Sequence, residues 1–595
     1  MRYRNSSMWR AVSVLLLVAI GYPPFVFSQE VKKTLVTATD DGAVSQQGKT
    51  SDQDKATQPQ VDLNQDRVGV DSNKKLTLSL EQAIAMALGK NRDIEIERAN
   101  IQMAEQDLLA ARGAYDPVVG VQSYYQSTTI PTSSILQGTP DFKLTDKTFV
   151  YSPTLQQLLP TGGNYSLNFS NNRDVTTNTF AALNPSFNST LNFSFAQPLL
   201  RNFKLDRNKR QVLIAKRRLD LSDSQFKQRV IDIISSVQSA YWDLVFTIRD
   251  VQVKQEAVDL ANEQLARNQR MVKAGTLAPV EIVSAEAEVK RREEDELTSV
   301  ENITRAENNL KGMLLADRTA PEWDNVIVPT EKWDPEPVTM TLADAVQTAM
   351  ANRPELEQLK VQDELTNIDV KFYRNQTRPQ LDLIGTYGVT GLAGTLSTTP
   401  NLLTNLTGNL FTRVNQLSLA QNLPPLALFP TTVPTSLIGG QGQDLFNLFS
   451  NDFRTFKIGV SFNLTIHNRT AEGNLGHALA QRRQISAQRQ KTEESVQIDV
   501  RDALQAVKTA EKRIEAARAA REASERQLQS EVRQYQAGES TNFLVLTRQN
   551  DLSDARGREL RAMTDYSKAI VQLQKAMATT LQTHNVVVSN AHPVN

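Results

Sequence analysis

The sequence predicts an α+β membrane protein made of two tandem helix-strand-strand-helix repeats, and three observations predict it. The chain repeats itself, its apolar periodicities run far past the length of a globular helix, and alternating segments recur at one place in each half. Composition bounds the rest: 595 residues carry 66 basic and 66 acidic side chains, four histidines and no cysteine. Thiol chemistry and thiolate metal sites are excluded. A neutral balance supplies no concentrated basic surface, so nucleic acid is not an expected partner. With 40% apolar and 22% charged residues the chain is a folded protein with ample core.

The N-terminus reads as an address. Arg2, Arg4 and Arg10 precede the apolar run Ala11 to Ile20, Pro23 and Pro24 break it, and Val26 and Ser28 suit a cleavage site. Residues 1–28 are therefore expected to be a signal peptide, since ten apolar residues fall short of the ~20 that span a bilayer. Residues 29–75 are polar and are read as a flexible linker. Two repeats follow, 76–330 and 331–582, and then a tail, 583–595.

The repeats match element by element. LEQAIAMAL (Leu80 to Leu88) is echoed by LADAVQTAM (Leu342 to Met350), and each runs into Asn-Arg: Asn91 and Arg92, then Asn352 and Arg353. Pro117 and Pro379 each introduce a β-like run. LNFSFAQP (Leu191 to Pro198) pairs with IGVSFNLTI (Ile458 to Ile466), both alternating at period two. Long helices follow. One seam runs Ile234, Val237, Tyr241, Leu244, Ile248, Val251 and continues weakly through Val258, Leu265 and Val272; the other runs Val496, Val500, Ala503, Val507, Ala510, Ile514, Ala517. About 67 residues per half give ~100 Å of helix at ~1.5 Å per residue. Gly275 and Gly538 suit the left-handed residue that closes a helix, and Pro279 suits the start of the next. The chain reverses there into return helices near 276–315 and 540–580. Alternation leaves open whether the strands form a soluble sandwich or a membrane barrel; the export signal and the aromatic strands joined to very long helices favour the barrel.

This duplicated order, with tip breaks at VKAGT and YQAGE, resembles the TolC-like outer membrane efflux protein family over about 76–582. The resemblance implies a homotrimer in which each protomer gives four strands to a twelve-stranded outer-membrane β-barrel, continuous with a long periplasmic α-helical barrel. It implies an exit duct of a tripartite efflux pump or type I secretion system, embedded in outer membrane lipid. A periplasmic adaptor protein and an inner-membrane transporter are then the partners, with Gly275 and Gly538 as candidate docking turns. Two departures stand out. A second β-like pair near 148–172, turning at Pro160 to Asn164, looks like an added hairpin. At the tunnel mouth the positions where the family often has aspartates are Leu544 and Thr547, with Arg548 beside them. Glu281 is the nearest acidic candidate. The resemblance also places Tyr535 near Glu281, as a phenol donating to a carboxylate across the gate, and puts Ser540 where an arginine can strengthen that latch.

No catalytic, cofactor or metal constellation is legible, and no enzymatic activity is expected. His467, His477, His584 and His592 are scattered and are read as solvent-facing. Gly439, Gly440 and Gly442 lack the Lys-Ser/Thr of a phosphate cradle and are read as loop. Asn188 and Asn192 are read as pore-facing, and the segment from Val389 to about Asp452 as an extracellular loop tolerant of insertion at Gly440. The alternative from another class is a structural or adhesive coiled-coil stalk of the cell envelope, which explains the helices but not the aromatic strands that interrupt each pair.

Overall fold

The structure, a computed structural model, describes residues 67–133, 141–317, 319–331, 337–398, 402–426 and 433–588. The expected signal peptide lies outside them, as does most of the linker. The described residues up to His584 fall in one compact unit, and Asn585 to Val588 fall in a second. In the first half β1 (Asp71–Leu78) precedes α1 (Leu80–Lys90) and α2 (Arg92–Arg112). Four strands follow: β2 (Val118–Pro131), β3 (Lys143–Leu158), β4 (Asn164–Thr176) and β5 (Leu183–Pro198). The long α3 (Arg207–Lys273) and its return helix α4 (Val280–Leu314) come next, and β6 (Asn325–Pro329) leads to the second half. There α5 (Leu342–Asn352) and α6 (Pro354–Gln376) enter β7 (Gln380–Leu396). Helices α7 (Leu402–Ala420) and α8 (Gln441–Ser450) separate it from β8 (Arg454–Asn463). The chain ends in α9 (Arg469–Gln536), α10 (Asn542–Met577) and the short α11 (Thr580–Thr583).

Local chemistry sets these boundaries in both halves alike. Ser79 caps α1 by accepting from the Gln82 amide while Gln82 reaches back to the Ser79 amide, a reciprocal box that satisfies two orphan donors. Thr341 caps α5 by accepting from the Asp344 amide. Asp206 and Asn468 cap the two long helices, α3 and α9. These run 67 and 68 residues, or about 100 Å each at ~1.5 Å per residue. The second seam is buried at Val496, Val500, Leu504, Val507 and Ala510, packed on Ala345 and Ala349 of α5 and on Tyr566, Ala569 and Leu573 of α10. The first seam is buried at Ile234, Val237, Tyr241, Leu244 and Val251, but beyond that the buried positions become Ala261, Gln264 and Asn268 instead of Leu265 and Val272. Among the described residues, no helix is long and apolar enough to cross a membrane.

A two-stranded sheet lies against the middle of α3. β1 pairs in parallel with β6, and the Tyr241 hydroxyl, halfway along α3, donates 3.0 Å to the Leu78 carbonyl. Burial pushes this phenol up to about 12, so it stays a donor. The polar segment read as linker to residue 75 therefore ends earlier. Asp71 already pairs in the sheet, and Arg67 is buried with its guanidinium 2.6 Å from Glu307. Pairing of backbone groups and a buried ion contact overcame the low apolar content of this stretch.

The remaining strands form one antiparallel sheet in the order β2-β3-β4-β5-β7-β8. The added hairpin, β3 and β4, lies inside it, so the protomer contributes six strands and not the four that the resemblance implied. Register makes the faces unambiguous. Val119, Leu155, Leu167, Phe193, Tyr387 and Phe456 lie on one line across all six strands. The adjoining line, on the other face, is Gly120, Thr154, Asn168, Asn192, Gly388 and Thr455. Along these lines one face is apolar and the other polar or small, the pattern of a membrane barrel with a wet lumen. Asn188 and Asn192 share the polar face, as the sequence reading placed them.

The segment after β7 is not the plain loop expected. Gly439 donates to the Gly394 carbonyl, Gly440 caps α8, and Gly442 lies inside that helix. α8 packs against β7 so closely that a Cβ on Gly391 would stand 2.2 Å from the Asp444 carbonyl oxygen. An insertion at Gly440 would break this seat, so Gly440 is not a tolerant site. Gly391→Ala is expected to lift α8, at a steric cost of about 1 to 3 kcal/mol. Chymotryptic cleavage between Phe446 and Phe453 in the detergent-solubilised protein should then accelerate on the order of tenfold. An unchanged cleavage rate would show that the wall yields instead.

Candidate functional site

The tips of the long helices bring together residues from four elements, and their turns close with the same hydrogen-bond pattern in the two halves. Gly275 (φ 73°) and Gly538 (φ 82°) take the left-handed conformation that a side chain resists. Around Gly275, Thr276 donates to Met271 and Gly275 to Val272, both at 3.0 Å. Around Gly538, Glu539 donates to Gln534 at 2.9 Å and Gly538 to Tyr535 at 3.1 Å. This double bond pattern closes a helix by satisfying its last carbonyls. Pro279 and Thr541 then cap the return helices, Thr541 accepting from the Leu544 amide.

Inside these turns lies a buried polar network. The Tyr535 hydroxyl, on a residue only 3% exposed, donates 3.1 Å to Asn268 Oδ1. Gln264 Nε2 donates to the same oxygen at 2.9 Å and to Asn542 Oδ1 at 3.0 Å. Asn542 Nδ2 donates 2.9 Å to the Glu281 carboxylate, and Asn268 Nδ2 reaches the Glu281 carbonyl at 3.4 Å. Gln264 and Asn268 come from α3, Glu281 from α4, Tyr535 from α9 and Asn542 from α10. All four tip segments are thus stitched into one array. Burial, and then the nearby Glu281 carboxylate, raise the Tyr535 pKa, which keeps the phenol protonated as a donor. Leu528, Val545 and Leu552 pack with Tyr535, so its ring also fills the seam.

The geometry corrects the expected latch. The phenol donates to an amide and not to the carboxylate, and Glu281 is tied in through Asn542. Leu544 is exposed on the first turn of α10, and the Thr547 hydroxyl bonds the Phe543 carbonyl at 2.8 Å. Arg548 pairs with Asp551 at 3.1 Å and stands 3.9 Å from Glu531, while the Ser540 hydroxyl donates to Glu531. The array does not include Leu544, Thr547 or Arg548. It does include Gln264, Asn268 and Asn542, which the sequence reading passed over. The available signal was that Ala261, Gln264 and Asn268 are spaced by three and four.

One histidine departs from its expected place. His584 is half-buried, its Nε2 2.6 Å from Gln238 Nε2, and burial holds its imidazole below the usual value while Glu81 acts the other way. Among the described residues, no group of three His, Cys, Asp or Glu side chains is placed to hold a metal ion.

The comparisons with known proteins bear on this architecture. Solved structures share it: the Campylobacter jejuni CmeC outer membrane channel is 16% identical, with a TM-score of 0.54 over 84% of this chain and 85% of that one. VceC, an outer membrane protein of Vibrio cholerae, is 15% identical at a TM-score of 0.54, covering 84% and 95%. The open state of the Neisseria gonorrhoeae MtrE outer membrane channel is 15% identical at 0.53, covering 84% and 88%. At these identities the likeness shows the fold. No curated protein sequence matches. The model of the outer membrane efflux protein family matches residues 83–314 and 345–579, one match to each repeat. Two matched repeats, a two-faced sheet and helices closed by twin glycine turns make this chain a member of the outer membrane efflux protein family, TolC-like in fold, placed in the outer membrane and extending into the periplasm.

Proposed function

We propose that three copies of the chain close one barrel and one helical tunnel, and that this trimer is the exit duct of a tripartite efflux pump or a type I secretion system. A periplasmic adaptor protein and an inner-membrane transporter would deliver the cargo. The observation that carries the proposal is the sheet with two open edges. β2 and β8 each pair on one side only, while the face they share is apolar. Unpaired backbone cannot face lipid, so the edges must meet other copies. Six strands from each of three protomers make eighteen. At a tilt of about 40° and a spacing of about 4.8 Å, such a barrel is about 36 Å across between strand axes, against about 24 Å for twelve strands. The added hairpin thus widens the mouth without adding a helix to the tips, so permeation is set at the tips. In this reading Tyr535, Glu281 and their amide partners hold the two helix pairs of each protomer together as the periplasmic gate, and the turns at Gly275 and Gly538 face the adaptor.

The test is purification of the full chain in mild detergent. A trimer that dissociates on heating, and that forms ion-conducting channels in planar bilayers, is the expected result. A monodisperse monomer retaining its full strand content would overturn the assembly. Absence of conductance from an intact trimer would overturn the duct.

A further inference from the structure

At one level of the apolar face Tyr151 is the single aromatic side chain across five strands, and α8 covers part of that level. Four residues farther from the helices than the Leu155 line, β3 still presents Tyr151. Its register partner on β2 is Ser123, and across β4, β5 and β7 the line continues through Asn171, Ser189 and Gly391. These are polar or lack a side chain, where membrane barrels carry an aromatic girdle. The next line places Arg173 beside Phe149, with Lys147 one step on, the cations expected where headgroups begin.

α8 is fixed over this stretch by its polar side. The buried Asp444 carboxylate accepts from the Ser189 amide at 3.1 Å, from the Ser189 hydroxyl and from Asn171 Nδ2 at 3.2 Å. Asn447 Nδ2 donates to the Leu392 carbonyl at 2.8 Å. At the helix end the Tyr387 hydroxyl donates 2.6 Å to Asn451. The other side of the helix looks away from the protein and is aromatic. Phe446 and Phe449 are both 68% exposed, and Phe453, just beyond, is exposed as well.

We propose that α8 is an interfacial anchor that restores the girdle, with Phe446 and Phe449 seated in the outer leaflet at the boundary of acyl chains and headgroups. Continuity decides the occupant. The rings stand on the apolar face of the sheet, level with Tyr151, and extend the surface already turned to lipid. A second copy fits poorly, because copies meet at β2 and β8 whereas α8 lies over β5 and β7. An amphipathic helix at an interface gains from the apolar area that it buries. Here the polar side is satisfied by the barrel, so the whole aromatic side is free for lipid. The proposal rests on the apolar face being the membrane wall.

The chain has no cysteine, so single labels are clean. Phe446→Cys and Phe449→Cys, each carrying a nitrobenzoxadiazole dye, would be reconstituted as full-length protein into phosphatidylcholine vesicles with and without brominated acyl chains. The expected result is blue-shifted emission that is lost in brominated vesicles, as for a label at Val460→Cys on the wall, while Ser194→Cys in the lumen keeps its emission. Emission at 446 and 449 that iodide quenches and brominated lipid does not would overturn the anchor. Self-quenching between labelled copies without brominated-lipid quenching would overturn it in favour of a second copy. Loss of quenching at Val460→Cys as well would overturn the wall assignment beneath it.

Discussion

Glu307→Ala is expected to be among the most destabilising single changes beside the sheet of β1 and β6, at about 3 to 5 kcal/mol. Glu307 is 1% exposed and holds three donors: the Arg67 guanidinium at 2.6 Å, Lys311 Nζ at 2.9 Å and the Ile327 amide at 3.1 Å. Lys311 is equally buried and gives a further bond to the Trp323 carbonyl at 2.7 Å. Removing the carboxylate leaves two cations without their counter-ion in a site that excludes water, and desolvation of an unpaired charge outweighs the loss of any single bond. The consequence reaches beyond the site. These bonds fasten the segment before β1 and the strand β6 to α4, and so join the start of the first repeat to the connection between repeats. The measurement is the midpoint of thermal helix loss by circular dichroism, which should fall markedly for Glu307→Ala. Replacing Arg67, Glu307 and Lys311 together by methionine should recover most of the loss, because no buried charge is then left unpaired. An unchanged midpoint in Glu307→Ala would show that water reaches the cations.

The parts of this fold that were legible in the sequence are those fixed by local chemistry. Capping residues, tip glycines and the two apolar periods each act within a few residues, and duplication let one half check the other. Neighbour relations were not legible. Alternation in Tyr165, Leu167 and Phe169 tells which side a residue faces but not which strand lies beside it, so the added hairpin could not be assigned to the sheet. Arg67 meets Glu307 across 240 positions, a pairing that the polar composition around Arg67 conceals. α8 was hidden by its glycines, although Leu445, Phe446, Leu448 and Phe449 already carry helical spacing. At the tips the turns were readable and the array was not. Gln264 and Asn268 interrupt an apolar seam, and a polar residue at such a position stabilises only when partners from other helices complete its bonds.

Asn268→Leu is expected to weaken the tip more than any change at Tyr535 or Glu281. Asn268 is fully buried and its one oxygen accepts from both Tyr535 and Gln264. Leucine keeps the branched shape and number of heavy atoms, though with bulkier methyl groups, and leaves the phenol, 3% exposed, without an acceptor. A buried donor left unmatched costs about 1 to 3 kcal/mol, a factor of about 5 to 150 in the equilibrium between joined and parted helix pairs. Gln264 keeps its bond to Asn542 and moderates the loss. Tyr535→Phe removes the donor but preserves the ring among Leu528, Val545 and Leu552, and Asn268 keeps its bond from Gln264. Its effect should be smaller, about 0.5 to 1.5 kcal/mol. Glu281→Gln should act least, because an amide oxygen still accepts from Asn542. The readout is single-channel conductance and open probability of the reconstituted protein, rising in the order Glu281→Gln, Tyr535→Phe, Asn268→Leu. Tyr535→Phe added to Asn268→Leu should bring the channel back toward the behaviour of Tyr535→Phe alone, since no phenol donor is then left unmatched. If Glu281→Gln opened the channel as much as Tyr535→Phe, and Asn268→Leu did not, the direct pairing of phenol and carboxylate would describe the closed gate better than the amide array.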